Sequence, residues 1–290
     1  MVFNLKQIQM KKIALKKITL LSIIAISFIG CDSHDGQKVD SKYSTLVWSD
    51  DFSGVAGTLP DASKWAYDIG TGANGWGNKE LEYYTNRPEN ISLDGDGNLV
   101  ITAIKESFQG SSYTSARIKT KGILEQKYGR FEARLQTPYG QGLWPAFWML
   151  GSNDDTVTWP LCGEIDIMEI RGQKPSITNA SLHGPGYYGS NPITDSYTLI
   201  NNRFDTSFHI FAVEWDENKI DFFVDGYLYQ RVNKSDVDNK VVYGVTRKWV
   251  YDHPFYLILN VAVGGNFLGD PNASTSFPQK MIIDYVRVYQ

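Results

Sequence analysis

The most informative stretch of this chain is Glu164-Ile165-Asp166-Ile167-Met168-Glu169, which carries three carboxylates on a segment with the apolar alternation of a β-strand. Successive side chains of a strand point to opposite faces, so Glu164 and Asp166 share one face. Glu169 lies an odd number of positions after Glu164, and a regular strand would point it the other way. We predict a β-bulge near Ile167-Met168, because one extra residue restores the phase and puts all three acids on one side.

An all-acidic strand face indicates a functional site. Adjacent like charges repel, so the arrangement costs stability and breaks the local rules that a structural strand follows. The alternative is a solvated polar face, but such faces usually mix both signs of charge. Two carboxylates about 5–5.5 Å apart are what a retaining glycosidase uses, one as nucleophile and the other as general acid/base.

Strand patterns continue on both sides of this stretch, from about Thr45 to the end of the chain. Residues 98–105 and 281–289 alternate, Asp225-Gly226 forms a hairpin signal between two apolar segments, and Phe255–Val263 is apolar enough for a buried central strand. No stretch of about twelve residues has helical periodicity with caps. We predict an all-β domain, either a β-sandwich or a jelly roll.

Composition sets limits on the partners of the chain. The 290 residues carry a net charge of −4, and no cluster of Lys and Arg suggests a nucleic-acid surface. The 8 Trp and 17 Tyr fit a cleft that stacks on sugars, and they fit a sandwich core equally well. We expect one domain over residues 44–290, acting as a monomer.

The N-terminal region has the pattern of a secretion signal. A basic region over residues 11–17 precedes an apolar run over 20–29 that is too short to span a membrane. Gly30-Cys31 then resembles a bacterial lipoprotein cleavage site, with Cys31 as the lipidated residue; a plain signal peptide is the alternative. We predict a signal peptide over 1–30 and a lipidated tether over 31–43. Lipid would anchor the secreted protein to the outer membrane or cell surface.

The second cysteine, Cys162, lies just before the acidic stretch. If Cys31 carries lipid, Cys162 has no disulfide partner, and the two cysteines have no metal-ligand spacing. We predict that Cys162 is a buried small residue rather than a nucleophile.

Aromatic residues flank the acids in sequence. Trp144 and Trp148 lie an even number of positions apart on another apolar strand, so their rings share a face. Either ring alone would suggest core packing, but the pair near the acids suggests a platform for sugar. His183 follows the acidic strand and could hydrogen-bond a sugar hydroxyl or a catalytic carboxylate, although a lone histidine is usually structural.

With these residues in view, the chain resembles the family 16 glycoside hydrolases, specifically the bacterial endo-β-1,3-glucanases called laminarinases. The matching pieces follow the family order from about residue 46 to the end. They are Trp144-Pro145-Ala146-Phe147-Trp148-Met149-Leu150, Gly163-Glu164-Ile165-Asp166-Ile167-Met168-Glu169, His183-Gly184-Pro185-Gly186-Tyr187, Val213-Glu214-Trp215, Val224-Asp225-Gly226, Leu259-Asn260-Val261-Ala262-Val263-Gly264-Gly265-Asn266 and Asp284-Tyr285-Val286-Arg287-Val288-Tyr289. The resemblance implies a concanavalin A-like jelly-roll β-sandwich with a substrate cleft on its concave face.

The resemblance also implies residue roles in a retaining endo-β-glucanase. Glu164 resembles the nucleophile, Glu169 the general acid/base, and Asp166 a helper that hydrogen-bonds the nucleophile. No cofactor is required for this chemistry. The residues that the resemblance places against sugar are Trp144, Trp148, His183, Asn78 and Arg117.

The substrate implied is a β-1,3-linked glucan. The five-residue spacing of the two Glu resembles the laminarinases, and also the agarases and porphyranases. Phe267 stands where the family often has Trp, so β-1,3-1,4-glucan stays open as the main substrate. Two further alternatives are a noncatalytic glycan-binding protein and a transglycosylase that uses the same covalent intermediate.

A structural calcium is a further implication of the resemblance. Many family members bind one on the convex side through an Asp, which Asp284 matches, and through backbone carbonyls near the start of the domain, whose positions Asp51 and Gly97 match. Oxygen ligands suit calcium, and a carboxylate with apolar neighbours, as at Asp284, needs a partner. A salt bridge to Lys or Arg is the alternative.

Overall fold

The computed structural model describes residues 37–290, which form strands with very few helical residues. The predicted signal peptide over 1–30 and Cys31 lie outside these residues. In chain order the strands are β1 (Gln37–Lys38), β2 (Leu46–Asp50), β3 (Ala66–Asp68), β4 (Glu82–Tyr84), β5 (Ile91–Leu93), β6 (Leu99–Phe108), β7 (Ser111–Ser115), β8 (Arg117–Lys119), β9 (Gly129–Gln136), β10 (Leu143–Gly151), β11 (Glu164–Ile170), β12 (Ile177–His183), β13 (Ile193–Thr198), β14 (His209–Trp215), β15 (Lys219–Val224), β16 (Tyr227–Asn233), β17 (Val241–Val242), β18 (Val245–Thr246), β19 (Phe255–Val263) and β20 (Gln279–Tyr289).

Two large sheets and one small hairpin contain all of these strands. The 11-stranded sheet has the order β1-β16-β15-β14-β9-β20-β6-β7-β4, with β2 paired to β20 and β5 paired to β6. The 7-stranded sheet has the order β13-β12-β11-β10-β19-β8-β3, and β17 pairs with β18. Pairing is antiparallel apart from β4 with β7. The predicted all-β jelly-roll sandwich is confirmed.

The core lies between the two sheets because each presents alternate apolar side chains to the other. Leu99, Ile101 and Ala103 of β6 are fully buried, as the alternation predicts. Every residue of Phe255–Val263 is buried, so this segment is the interior strand that its apolar run predicts. Asp225 and Gly226 both have positive φ and close the hairpin between β15 and β16.

Helices are short in the part of the chain described. They are the single turn α1 (Lys234–Val237) and a π-type turn at Gly75–Lys79, in which Trp76 has a left-handed φ of 51°. Over residues 37–290, no helix has the length and apolar character that a membrane span requires. The prediction that no long helix occurs is confirmed for these residues.

The second half of the predicted tether contacts the 11-stranded sheet. Gln37 and Lys38 form β1 and pair with β16, and the amide of Val39 donates to the carbonyl of Gly226 at 3.2 Å. The hydroxyl of Tyr43 donates to the carbonyl of Trp215 at 3.0 Å. A polar segment without periodicity can still add a strand through its backbone, since the exposed edge of β16 offers unpaired N–H and C=O groups.

Candidate active site

The acidic strand contains the predicted bulge. In the pairing of β10 with β11, Phe147 lies opposite Met168 and Trp148 opposite Asp166, so Ile167 is the extra residue. Ile167 and Met168 are both buried in the core. Because two consecutive side chains point into the core, Glu169 returns to the outer face of the sheet with Glu164 and Asp166. This is the geometry that the predicted bulge requires.

Each of the two outer glutamates accepts a hydrogen bond from a tryptophan indole. The Nε1–H of Trp144 on the neighbouring strand β10 donates to Oε1 of Glu169 at 3.0 Å. The Nε1–H of Trp159, in the loop between β10 and β11, donates to Oε2 of Glu164 at 2.9 Å. Different elements of the chain therefore orient the two carboxyls.

The acids differ in protonation because of burial and mutual charge. Burial raises the pKa of Glu169 to about 7; the charge of Glu164 acts in the same direction, whereas His183 and the Trp144 indole oppose it. Burial, followed by the charges of Glu164 and Glu169, raises the pKa of Asp166 well above its usual range. A substantial fraction of Glu169 thus carries a proton near neutral pH, as a general acid must.

His183 lies beside the acids at the end of β12. Its Nε2 is 3.2 Å from Oδ2 of Asp166 and 3.6 Å from Oε1 of Glu164. Burial lowers the pKa of His183, but the contact with Asp166 and the acidic charges outweigh burial and raise it to about 9. The Gly189 amide donates to Nδ1 at 3.2 Å and disfavours that second proton. In both charge states Nε2 carries a proton and points it at the acids.

The tryptophan pair lies on the same outer face, as predicted. Trp144 and Trp148 are half-buried on β10. The ring of Trp144 lies 4.9 Å from that of Phe267, which the Arg171 guanidinium covers from 3.6 Å. Phe267 therefore supports Trp144 beside the acids.

Arg117, which the resemblance implies as a polar cleft contact, lies beside Trp148. Its guanidinium lies 4.7 Å from the ring centroids of both Trp76 and Trp148, and its Nε is 2.9 Å from Oδ2 of Asp68. Arg117 therefore supports Trp148, and its contact with sugar stays a prediction. Asn78 is half-buried in the 75–79 turn, and its Nδ2 donates to Oε1 of Glu80 at 3.2 Å.

The positions implied for calcium lie near one another only in part. Asp284, the implied carboxylate ligand, is ion-paired with Arg134. Gly97 has a φ of 88° and lies near the Asp51 carbonyl, and these two residues match the implied carbonyl positions. The Asp284 carboxylate thus has the arginine partner that the salt-bridge alternative requires, and the calcium stays a prediction.

Chelation tests the salt-bridge alternative. If Arg134 is the partner that Asp284 needs, EGTA and added calcium chloride should leave the melting temperature of the protein unchanged. Differential scanning calorimetry in both solutions measures this. A melting temperature that falls in EGTA and recovers with calcium would restore the calcium interpretation.

Two residues near the acids, Trp159 and Asn260, were missed in the sequence analysis. Trp159 is 44% exposed in a loop, and nothing local distinguishes it from a surface ring. Asn260 could have been found, because a lone amide inside the buried run Phe255–Val263 requires a partner. That partner is the Nε1–H of Trp148, which donates to its Oδ1 at 2.8 Å.

Comparison with known proteins agrees with this geometry. The profile of Glycosyl hydrolases family 16 matches residues 77–286. The chain belongs to this family. The resemblance drawn from the sequence is therefore confirmed, and the cleft on the 7-stranded sheet is a family 16 cleft.

Relatives cover nearly the whole family 16 domain. The chain is 41% identical over 271 residues to the beta-glucanase of Rhodothermus marinus, covering 90% of this chain and 91% of that protein. Among solved structures, the laminarinase catalytic domain of Thermotoga maritima MSB8 is 46% identical with a TM-score of 0.79, covering 86% of this chain and 99% of that one. The endo-beta-1,3-glucanase of Pyrococcus furiosus is also 46% identical, with a TM-score of 0.78 and coverage of 84% and 94%.

Proposed function

We propose that this family 16 protein is a retaining endo-β-glucanase that hydrolyses β-1,3 linkages in laminarin-type or mixed-linkage β-glucans. The observation that carries the proposal is the bulged strand β11. It places Glu164 and Glu169 on one face, and burial holds the pKa of Glu169 at about 7. The laminarinases and beta-glucanase among its relatives support the glucan substrate.

The reaction follows from the positions of the two glutamates. The Glu164 carboxylate attacks the anomeric carbon while Glu169 gives its proton to the departing glycosidic oxygen, so one C–O bond forms as another breaks. Glu169, now ionised, takes a proton from water, and the resulting hydroxyl displaces Glu164 from the sugar. Two inversions leave the anomeric configuration unchanged.

The neighbouring residues have supporting roles in this reaction. Asp166 and His183 contact one another beside the nucleophile, where a protonated Asp166 and the Nε2–H of His183 stabilise its charge. Trp144 and Trp148 offer ring faces to the sugars, and Asn78 offers an amide at the cleft edge. Noncatalytic glycan binding is not favoured, because it does not require the bulge or the two oriented glutamates.

Product analysis tests the proposal. Residues 32–290 would be incubated with laminarin, barley mixed-linkage glucan, curdlan and agarose, and the oligosaccharides separated by chromatography. Faster release from laminarin is the expected result. Faster cleavage of the mixed-linkage glucan would make that polymer the main substrate, products from agarose alone would move the chain to another branch, and binding without products would overturn the enzyme proposal.

The pH profile should report Glu169. Because the general acid must be protonated, kcat/KM on laminarin should fall as the pH rises through about 7, where the pKa of Glu169 lies. The Trp144 indole stabilises the charged form, so Trp144→Phe should move this alkaline limb to higher pH. Trp148→Phe is the matched control, since its indole bonds Asn260 and should leave the limb in place. An unmoved limb in Trp144→Phe would contradict the assignment.

We also propose that Cys31 carries lipid and anchors the secreted, monomeric enzyme to the outer membrane or cell surface. The basic region, apolar run and Gly30-Cys31 junction support this proposal. Cys31→Ser should shift the enzyme from the membrane fraction to the soluble fraction of the host. An enzyme that stays in the membrane fraction after this change would refute the anchor.

A further inference from the structure

A pair of carboxyls, one buried and one half-buried, lies beneath the cleft at the start of β4. Glu82 is fully buried, and its Oε2 accepts from the Val263 amide at 2.6 Å. Its other oxygen, Oε1, is buried, and no hydrogen-bond donor meets it within residues 37–290. The half-buried Glu80 lies two residues earlier, on the same face of the extended segment, and its carboxyl interacts with that of Glu82.

A carboxyl–carboxyl hydrogen bond requires a proton on one partner. Burial raises the pKa of Glu82 well above its usual range, and the charge of Glu80 raises it further. Glu80 already accepts two hydrogen bonds, from Nδ2 of Asn78 at 3.2 Å and from the Tyr84 hydroxyl at 3.1 Å. Glu80 is therefore the acceptor, and Glu82 holds the proton.

The pair connects to the cleft through a continuous series of hydrogen bonds. On one side Glu80 bonds Asn78 directly. On the other side the Tyr84 hydroxyl accepts from Nδ2 of Asn260 at 3.1 Å, and Oδ1 of Asn260 accepts from the Trp148 indole at 2.8 Å. Glu80 is thus connected to two residues of the cleft, to Asn78 directly and to Trp148 through Tyr84 and Asn260.

We propose that Glu80 and Glu82 share one proton and that this pair positions Asn78 and Trp148 for the glucan. The inference rests on the proposed function, because it assigns a purpose to the same cleft. Glu80 and Glu82 are positioning residues: they act through Asn78 and Trp148 and do not contact the reacting atoms.

Few charged or titratable groups lie around the Glu80–Glu82 pair. Its own segment supplies Tyr84, whose pKa burial raises well above 10, so this hydroxyl keeps its proton in mildly alkaline solution. Strand β8 supplies Arg117, which is already paired with Asp68. Strand β19 supplies the neutral Asn260 and the Val263 amide, and Tyr113 of β7 lies opposite Glu82 with its ring against Phe277.

Loss of the shared proton would therefore place two uncompensated charges side by side. Glu80 and Glu82 would repel each other, and Glu80 would move away from Asn78 and Tyr84. KM should rise by about 3- to 10-fold at alkaline pH, which corresponds to the loss of one net hydrogen bond. The change should be separate from the fall in kcat/KM that Glu169 causes near pH 7.

Glu82→Gln distinguishes the effect of the shared proton on KM from the effect of side-chain packing. The amide keeps the shape, accepts from Val263 and donates to Glu80, but it cannot ionise. Its KM for laminarin should match the wild type near pH 6 and rise less than that of the wild type as the pH increases, since titration of His183 is common to both proteins. Glu80→Gln should instead raise KM at every pH, because one amide oxygen cannot replace a carboxylate that accepts three donors.

Indole NMR gives a readout that does not need substrate. In protein carrying ¹⁵N-labelled tryptophan, Trp148→Phe identifies the Trp148 N–H signal, which is then followed from about pH 6 to about pH 10. We expect the alkaline shift of this signal to be smaller in Glu82→Gln than in the wild type, because the contribution of the pair is lost. Titration of the catalytic acids and of His183, whose pKa is about 9, occurs in both proteins and cancels in the comparison.

The outcomes distinguish the inference from the proposed function. If the alkaline shift of the Trp148 signal is larger in the wild type than in Glu82→Gln but no glucan is cleaved, the carboxyl pair is supported and the proposed function fails. If glucan is cleaved but Glu82→Gln has the same alkaline rise in KM and the same signal shift as the wild type, the pair does not position the cleft and the inference is overturned.

Discussion

Glu164→Gln should lower kcat on laminarin by about 10⁴-fold or more while the protein stays folded. The amide has nearly the shape of the carboxylate, but it cannot form the glycosyl-enzyme bond on which the proposed reaction depends. Removing one of three neighbouring acids also relieves repulsion, so the melting temperature should be unchanged or higher. Reducing-sugar release and calorimetry measure the two effects.

Chemical rescue identifies the role of Glu164. In Glu164→Ala, azide can enter the space of the missing side chain and attack the anomeric carbon from that face, while Glu169 still protonates the leaving oxygen. The expected product is a glycosyl azide of inverted configuration. The exposed Glu89→Gln is the matched control and should keep wild-type turnover. Near wild-type activity in Glu164→Gln would refute the nucleophile assignment.

Glu169→Gln should lower kcat on laminarin by about 10²–10⁴-fold, the usual contribution of general acid–base catalysis. The loss should depend on the leaving group. A sugar alkoxide is a poor leaving group and needs the proton of Glu169. The phenolate that departs from an activated aryl β-laminaribioside does not need it. The glycosylation step on the aryl substrate should therefore survive in this variant, seen as a burst of phenol in stopped-flow kinetics.

The second step of the reaction, attack on the glycosyl-enzyme, distinguishes the role of Glu169 from that of Glu164. In Glu169→Ala, azide should attack the glycosyl-enzyme formed by Glu164 and release a glycosyl azide of retained configuration. The two alanine variants thus predict azides of opposite configuration, which NMR of the products distinguishes. The same configuration from both variants would contradict the assignment of separate roles.

Local periodicity explains why so much of the fold could be predicted. Side-chain alternation at Leu99, Ile101 and Ala103 and the continuous apolar run Phe255–Val263 report which faces are buried, and burial of those faces is what forms the sheets. The β11 bulge was also predictable, because the odd spacing of Glu164 and Glu169 conflicts with a regular strand. The strand at Gln37–Lys38 could not be predicted in this way, since it pairs with β16 through backbone groups that carry no side-chain pattern.

The all-β class, the bulge and the three acids follow from the order of residues alone, because each depends on side chains close together in the chain. The surroundings of the acids depend on how the chain folds. Trp159 meets Glu164 from a loop, and Glu80, Tyr84 and Asn260 meet beneath Trp148 from distant segments. The protonation of Glu169 also depends on the fold, because burial raises its pKa. The extent of that burial cannot be predicted from the residues next to Glu169 in the sequence.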